Sequence, residues 1–561
     1  MKFSIWAPRA KKVELCSGNA RHPLHPEDDG FWSTDIEIPA EGMRYRYSVD
    51  GGPPLPDPLS RWQPDGVHGD SWAGAMPALP PPLQTSRPLA KAVIYEMHVG
   101  TFTAEGTYAA ARGRLSHLVQ LGITHVELMP LATFPGRHGW GYDGTYWFAP
   151  HPAYGTPAEL AEFVGACHEL GLAVLLDVVY NHLGPDGNYL PAYGPCFSER
   201  PTLWGQALNF DGADSDGIRR LVRENATLWL RDYGFDGLRL DAVHAILDQR
   251  ATPILEELAV HVHALSQELQ RPLVLIAESD LHDPRLVQAT QAGGYGLDAF
   301  WADDFHHAVH RLLTGESHGY YADFDGGLPD VARAIHEGYV YQGQFSPSRK
   351  RAHGRPPGAT RSDQFVFCIQ NHDQVGNRAG GERLTALVSP EKAKAAAALL
   401  LLAPQVPLLF QGEEWGARTP FLYFTDHVDS KLGEAVTEGR RREFPGQQSV
   451  SDPQDPHTYQ QSRLNWVEAA KAPHTEIFEW YRELIAFRQC CGPECYVRFD
   501  PQAKWLVLDR GDVCAAFNFA DVPQKIPSTA GAWRLALAST RGGEPGLVPA
   551  AGVRVYVREN S

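Results

Sequence analysis

Eight short apolar runs recur in order between residues 92 and 411, with helix signals standing between them. The runs cover 92–97, 123–128, 173–179, 237–241, 273–278, 297–301, 365–370 and 406–411. Several are almost continuously apolar, as parallel strands are when both of their faces are covered. Thr156-Pro157-Ala158-Glu159 is a capping box with proline at the first helical position. Behind it Leu160, Phe163, Val164, Cys167 and Leu170 keep helical spacing until Gly171 stops the run. Ile218, Leu221, Val222, Leu228 and Trp229 form a second stripe, and Ser389-Pro390-Glu391 opens a third helix. Periodicity is shared by a doubly wound open sheet and a closed barrel; eight strand–helix units favour the barrel. The fold class expected is therefore α/β, a (β/α)8 TIM-type barrel with long insertions.

Both flanks read as β. Phe3-Ser4-Ile5-Trp6, Lys12-Val13-Glu14-Leu15 and Tyr45-Arg46-Tyr47-Ser48-Val49 alternate with period two, and Asp50-Gly51-Gly52 supplies turn chemistry. Pro77, Pro80, Pro81 and Pro82 mark a stiff linker. Runs at 505–508, 513–519, 533–537 and 553–557 are again short and strand-like. The chain thus divides into an N-terminal β-sandwich (1–88), a barrel (89–488) and a C-terminal β-sandwich (489–561). A length of 561 residues fits two or three such units.

The composition narrows the partners. A net charge of −17 without a basic tract argues against nucleic acid and against an anionic membrane surface. The longest apolar run, 395–404, falls short of the roughly 20 residues a membrane span needs. Met1-Lys2-Phe3-Ser4-Ile5-Trp6-Ala7-Pro8 has no apolar signal core and reads as a strand, so a cytoplasmic location is expected. Of eight cysteines, Cys167 and Cys368 fall on core faces. Cys490, Cys491 and Cys495 lack the paired spacing and nearby histidines of a metal site and read as local packing. No phosphate-cradling glycine loop or Gly-x-Ser-x-Gly elbow is present, which removes kinase and serine-hydrolase chemistry.

Three of the runs lead into acids: Asp241 after the fourth, Glu278 after the fifth and Asp373 after the seventh. In a (β/α)8 barrel the chemistry sits where the strands end. Carboxylates grouped there are the equipment for cleaving glycosidic bonds, one as nucleophile and one as proton donor. Arg239 and Asp241 lie on the same side of their strand, and a neighbouring guanidinium favours the ionised form that a nucleophile requires. In isolation such a pair is more often a structural salt bridge; the companion segments decide otherwise. Glu278 leaves the apolar run Val274-Leu275-Ile276-Ala277, where desolvation helps an acid keep its proton. Asp373, beside His372, is left to bind sugar hydroxyls and favour the oxocarbenium-like transition state. Asp177-Val178-Val179-Tyr180-Asn181-His182 closes the third run: Asp177 is expected to order Arg239, and His182 to bind a sugar hydroxyl. A cation on Asp177, Asn181 and His182 is a second reading of that segment, although hard and borderline ligands mix there. Tyr142, between Gly141 and Asp143-Gly144 in an aromatic loop, is the candidate platform for a sugar ring.

These segments resemble those of the α-amylase superfamily of retaining glycosidases, glycoside hydrolase family 13. Its four signature segments match 177–182, 237–244, 276–280 and 370–377, in order. The resemblance implies Asp241 as nucleophile, Glu278 as acid/base and Asp373 as transition-state stabiliser. It further implies that Tyr142, His182, Arg239, His244, Asp303, Asp304, His372 and Asn377 bind substrate, with no cofactor and no metal.

The N-terminal unit resembles the module carried by branching, debranching and trehalose-releasing members. Stretches at 56–58, 66–69, 95–102, 238–246, 278–286, 301–307, 410–416 and 421–427 liken the chain most to the trehalose-releasing ones. From that likeness follows an α-glucan substrate ending in trehalose, cut at the α-1,4 bond next to the trehalose. Ala302 departs from the pattern, where a polar residue is expected. A branching or α-1,6-debranching enzyme is the nearest alternative, and a non-catalytic glucan binder the alternative of another class.

Overall fold

A computed structural model describes residues 1–83, 85, 87–445, 450–527, 532–540, 544 and 546–559. Its centre is a closed barrel of eight parallel strands. They are β1 (Ile94–Met97), β2 (His125–Leu128), β3 (Ala173–Val178), β4 (Gly237–Leu240), β5 (Val274–Ala277), β6 (Ala299–Trp301), β7 (Phe365–Cys368) and β8 (Val406–Phe410). Each pairs with the next in sequence, and Leu408 opposite Ile94 closes the ring. All eight expected runs are strands, each a residue or two shorter at an end. The shortening matters, because it puts Asp241 and Glu278 on the loops that leave β4 and β5, not on the strands themselves.

The interior of the barrel changes character along its axis. Ile94, Leu175, Ile276, Ala299, Val366 and Val406 fill the lower part as one apolar cluster. Two residues further along the chain from Ile94, Leu175, Ile276 and Ala299 stand Glu96, Asp177, Glu278 and Trp301, whereas Cys368 and Leu408 keep the course of β7 and β8 apolar. An apolar floor therefore supports a charged layer, and the period of two places both from one local rule. Gly237 keeps the floor closed: a Cβ there would lie 2.9 Å from Leu175 and 2.4 Å from Val274.

Outside the strands, the helix Pro157–Glu169 starts on the expected capping box, with both reciprocal bonds between Thr156 and Glu159 formed. Its buried stripe is Leu160, Phe163, Val164 and Cys167, and Gly171 follows at φ 75°. The helix Pro390–Leu402 opens on Ser389, whose side chain accepts from the Lys392 N–H. Ser215–Thr227 runs on into a π turn, Leu228–Asp232.

At the N-terminus two antiparallel sheets face each other. Lys2–Trp6, Phe31–Asp35 and His25–Pro26 form one; Ala20–Pro23, Val13–Ser17, Met43–Val49 and Ser71–Ala73 form the other. Phe3, Ile5, Val13, Leu15, Tyr45 and Tyr47 meet between them. Trp6 points the other way, into the barrel's own core. At Gly217 and Gly194 a Cβ would lie 2.0 Å and 2.5 Å from the Trp6 indole, so only glycine admits it.

The C-terminal strands Tyr496–Asp500, Trp505–Asp509, Val513–Asn518, Val553–Arg558 and Trp533–Ala538 form one five-stranded antiparallel sheet in that order. Leu506, Leu508, Ala515, Phe517, Val553 and Val555 join the barrel's core from one face. Ile526 and Val548 cover Val507, Cys514 and Ala516 on the other. Among the described residues no helix is long and apolar enough to cross a membrane.

Candidate active site

Arg239 is the hub of the charged layer. It is fully buried on β4, and its Nη1 donates to both oxygens of Asp177, at 2.9 and 2.8 Å, and to Asp241 Oδ1 at 2.7 Å. Its Nη2 lies 3.7 Å from Glu278 Oε2. One guanidinium thus touches the acids leaving β4 and β5, and the Trp301 ring covers it at 4.4 Å. A charge this deep survives only with such pairing.

The two acids sit in different surroundings. Asp241 accepts from Arg239 on one oxygen and from Asn181 Nδ2, at 2.8 Å, on the other, two bonds that fix its orientation. Glu278 accepts from the Ala242 N–H at 2.5 Å. Burial pushes Glu278 up to about 8; Arg239 works against this, and Asp241, Asp373 and Asp303 add to it. A carboxyl that keeps its proton at neutral pH, next to one held by two donors, is an arrangement that can divide proton donation from nucleophilic attack. Ala242 makes the contact possible by taking the left-handed conformation, φ 38° and ψ 50°, which an L residue adopts only at a cost.

Asp373 stands at the start of the short helix His372–Gly376, which Asn371 caps. Its side chain is 41 % exposed and accepts from Asn377 Nδ2 at 3.1 Å. Beneath it, His372 Nδ1 bonds Glu96, the Glu96 carboxylate also takes the His372 N–H at 2.9 Å, and His372 Nε2 meets the Tyr142 hydroxyl at 2.8 Å. Burial opposes charge on this imidazole, yet Asp373 and Glu96 outweigh it and lift the ring to about 9. Tyr142 stacks on His372 at 5.0 Å and donates to Asp177 at 2.7 Å. Burial raises Asp177 to about 6 against the pull of Arg239.

Most of the expected residues come together. His182 joins through Asn181 and the Tyr142 carbonyl, and burial holds its pKa low. Asp303 belongs to the same acidic group: burial, then Asp373 and Asp304, raise it to about 7. His244 sits on the turn after Asp241, facing Trp204 at 6.4 Å. Asp304, also expected at the substrate, has its carboxyl engaged elsewhere. Its Oδ2 accepts from the Val340 and Tyr341 N–H groups at 2.7 and 3.0 Å, and its Oδ1 lies 3.6 Å from His282. Neighbouring positions at a helix start diverge in direction, so Asp303 joins the acids while Asp304 holds backbone. The segment also considered for a cation is engaged otherwise: Asp177 with Arg239 and Tyr142, Asn181 with Asp241. Among the described residues no group of three or more His, Cys, Asp or Glu is arranged to hold a metal ion.

Two contributors escaped the sequence reading. Glu96 is an inward residue of β1 that the period-two pattern, carried one strand further, would have found. Trp204 tips the hairpin Phe197–Thr202 and Gly205–Leu208 and stacks on His182 at 5.5 Å and 11°. Its signal was an apolar pair, Leu203-Trp204, standing exposed at a turn before Gly205.

The same architecture occurs in known proteins. The family described as Alpha amylase, catalytic domain matches residues 86–192, and a Domain of unknown function (DUF3459) matches 493–555. The Malto-oligosyltrehalose trehalohydrolase of Arthrobacter ramosus is 47% identical, covering 97% of each chain. That of Rhizobium sp. (strain M-11) is 46% identical over 94% of this chain and 93% of its own. The chain belongs to the malto-oligosyltrehalose trehalohydrolase family. A member from Saccharolobus solfataricus is 44% identical over 92% of this chain and 90% of its own. Among solved structures, a putative alpha amylase from Salmonella typhimurium superposes with a TM-score of 0.88 at 36% identity, covering 99% and 97% of the two chains. Pullulanase from Anoxybacillus sp. LM18-11, at 18% identity and a TM-score of 0.73, shares the fold alone. Membership of the trehalohydrolase family makes the chain a glycoside hydrolase.

Proposed function

We propose that this hydrolase cleaves the α-1,4 bond next to the terminal trehalose of maltooligosyltrehalose, with retention, releasing trehalose and a maltooligosaccharide. Asp241 attacks the anomeric carbon while Glu278 passes its proton to the departing trehalose oxygen. The maltooligosaccharide is then held as an ester of Asp241. Glu278, now ionised, takes a proton from water, the water oxygen attacks the same carbon, and Asp241 is freed. Asp373 accepts from the sugar hydroxyls as the ring flattens, and Tyr142, His182, Arg239, His244, Asp303, His372 and Asn377 frame that sugar.

One observation carries the chemistry: Glu278 is buried and raised to about 8 while Asp241, on the same guanidinium, accepts two N–H bonds. The choice of bond is supported by the shared family, whose members are named for trehalose release. The buried thiols of Cys167, Cys196 and Cys368 support placement in the cytoplasm, where such groups stay reduced; an activity assay on cell fractions checks this.

Incubation with maltooligosyltrehalose, and separately with amylopectin, tests the proposal. Free trehalose is expected from the first and no change in branching from the second. Altered branching without trehalose would replace it with the branching or debranching reading. Asp241→Asn and Glu278→Gln are each expected to abolish release with the fold intact.

A further inference from the structure

One side chain of the helix Ser430–Glu443, Arg440, reaches the loop that carries Asp373. Its Nη2 donates to the Gly376 carbonyl at 2.7 Å and to the Arg378 carbonyl at 3.2 Å. The Arg440 side chain is 8 % exposed, whereas Glu443, its ion-pair partner at 2.8 Å, is 59 % exposed. A pair half in solvent contributes little, so a guanidinium kept this dry depends on the two carbonyls. The Tyr423 and Phe444 rings stand 5.6 and 4.8 Å from it.

The place of those carbonyls gives the contact its meaning. Gly376 ends the short helix His372–Gly376, where carbonyls lack partners within the helix and a cation is favoured. Gly376 also meets Trp140 so closely that a Cβ would lie 2.1 Å from the indole. The Trp140 ring in turn meets Tyr423 at 5.1 Å and the His372 ring edge-on at 5.6 Å. Asp373 itself is held lightly: its Oδ1 takes the Asn377 amide at 3.1 Å and lies 3.5 Å from His372 Nε2. Arg440 bears on both holders, on Asn377 through the Gly376 peptide and on His372 through Tyr423 and Trp140.

We propose that Arg440 is a positioning residue for the reaction: by fixing the Gly376 carbonyl it sets Asn377 and, through it, the direction of the Asp373 carboxylate. The role of Asp373 rests on the proposed function; its dependence on Arg440 is the added claim. A guanidinium that only tethered its helix to the barrel would alter melting and leave the chemical step as it was.

Full-length Arg440→Ala is assayed for trehalose release from maltooligosyltrehalose, well below its melting temperature. Its kcat is expected to fall by at least about tenfold, since misplacing a group by about 1 Å can cost on the order of a hundredfold. KM is expected to stay within about twofold, because an interaction made in the transition state alone lowers kcat and kcat/KM together. Asn377→Ala with Arg440→Ala is expected to lose less than the product of the two single losses, as residues acting in one network do. Should Arg440→Ala fail to fold, Arg440→Lys, which keeps the stem and the charge but not the planar fork, is read in the same way, with kcat lowered by at least about threefold. A kcat within about twofold of normal, a loss confined to KM, or losses at Arg440 and Asn377 that multiply in full would each overturn the proposal, even where melting is lowered. Asp373→Asn separates this proposal from the catalytic reading. If it is inactive while Arg440→Ala is normal, the proposal alone fails; if it releases trehalose normally, the role of Asp373 fails and the proposal with it.

Discussion

The Ala242 N–H donates to Glu278 Oε2 at 2.5 Å, from a residue whose own backbone is left-handed at φ 38°. The strain and the bond are one feature: without the twist after Asp241, the amide would not face the acid leaving the next strand. Left-handed backbone costs a non-glycine residue about 1–2 kcal/mol, comparable to what a bond to a carboxyl returns. Ala242→Gly keeps the N–H and removes the steric cost, so trehalose release should stay within about twofold of normal. Ala242→Pro deletes the N–H and forces φ near −65°, so release should fall by orders of magnitude. Steady-state assays of the two variants decide this; equal activity would show that the bond is idle.

The state of Glu278 predicts the alkaline limb of the reaction. Burial is the first cause of its rise to about 8, and the neighbouring acids add to it. Because the protonated form donates to the leaving oxygen, kcat/KM should hold through neutrality and drop as pH rises through about 8. Substrates with a leaving group that needs no proton should lose that limb. A profile falling already between pH 5 and 6 would contradict the assignment.

His372 makes a separate prediction, about stability. Its ring is lifted from 6.5 to about 9 by Asp373 and Glu96, against burial. A raised pKa in the folded state adds stability that is complete below about 6.5 and is lost as pH climbs through about 9. Glu96 and His372 are both 1 % exposed, and breaking a buried pair of this kind costs about 3–5 kcal/mol. Glu96→Gln should therefore lower the melting temperature most below pH 6.5, with the gap to the unaltered protein narrowing toward pH 9 and above. A gap that is the same at every pH would mean that Glu96 acts through shape alone.

The barrel and its acids were legible because each depends on neighbours in sequence: apolar runs make strands, and a period of two carries the pattern from Ile276 to Glu278. What lies across space was not legible. Asp304 shares residue type and helix start with Asp303, and only the fold shows that Val340 and Tyr341 claim its carboxyl. The pairing of Glu96 with His372 joins positions 276 residues apart, a contact that no local pattern encodes. Trp204 gave an exposed apolar signal, but its meeting with His182 depends on how an insertion folds back over the barrel mouth.

The junction of the N-terminal sheets with the barrel yields the last prediction. A Cβ at Gly217 would stand 2.0 Å from Trp6 Nε1, inside a fully buried indole that has no room to turn. Alanine improves the intrinsic stability of a helix by about 1 kcal/mol over glycine, whereas forcing a group into a closed interior costs about 1–3 kcal/mol. Since the clash is with a ring and not with a flexible chain end, the cost should win. Gly217→Ala should lower the melting temperature, and Gly217→Ala with Trp6→Phe, which frees the space, should recover part of the loss. Both should release trehalose at the normal rate below the melting transition, because neither touches the acids. A Gly217→Ala protein that melts higher than the unaltered one would show that helix propensity, not the indole, governs this contact.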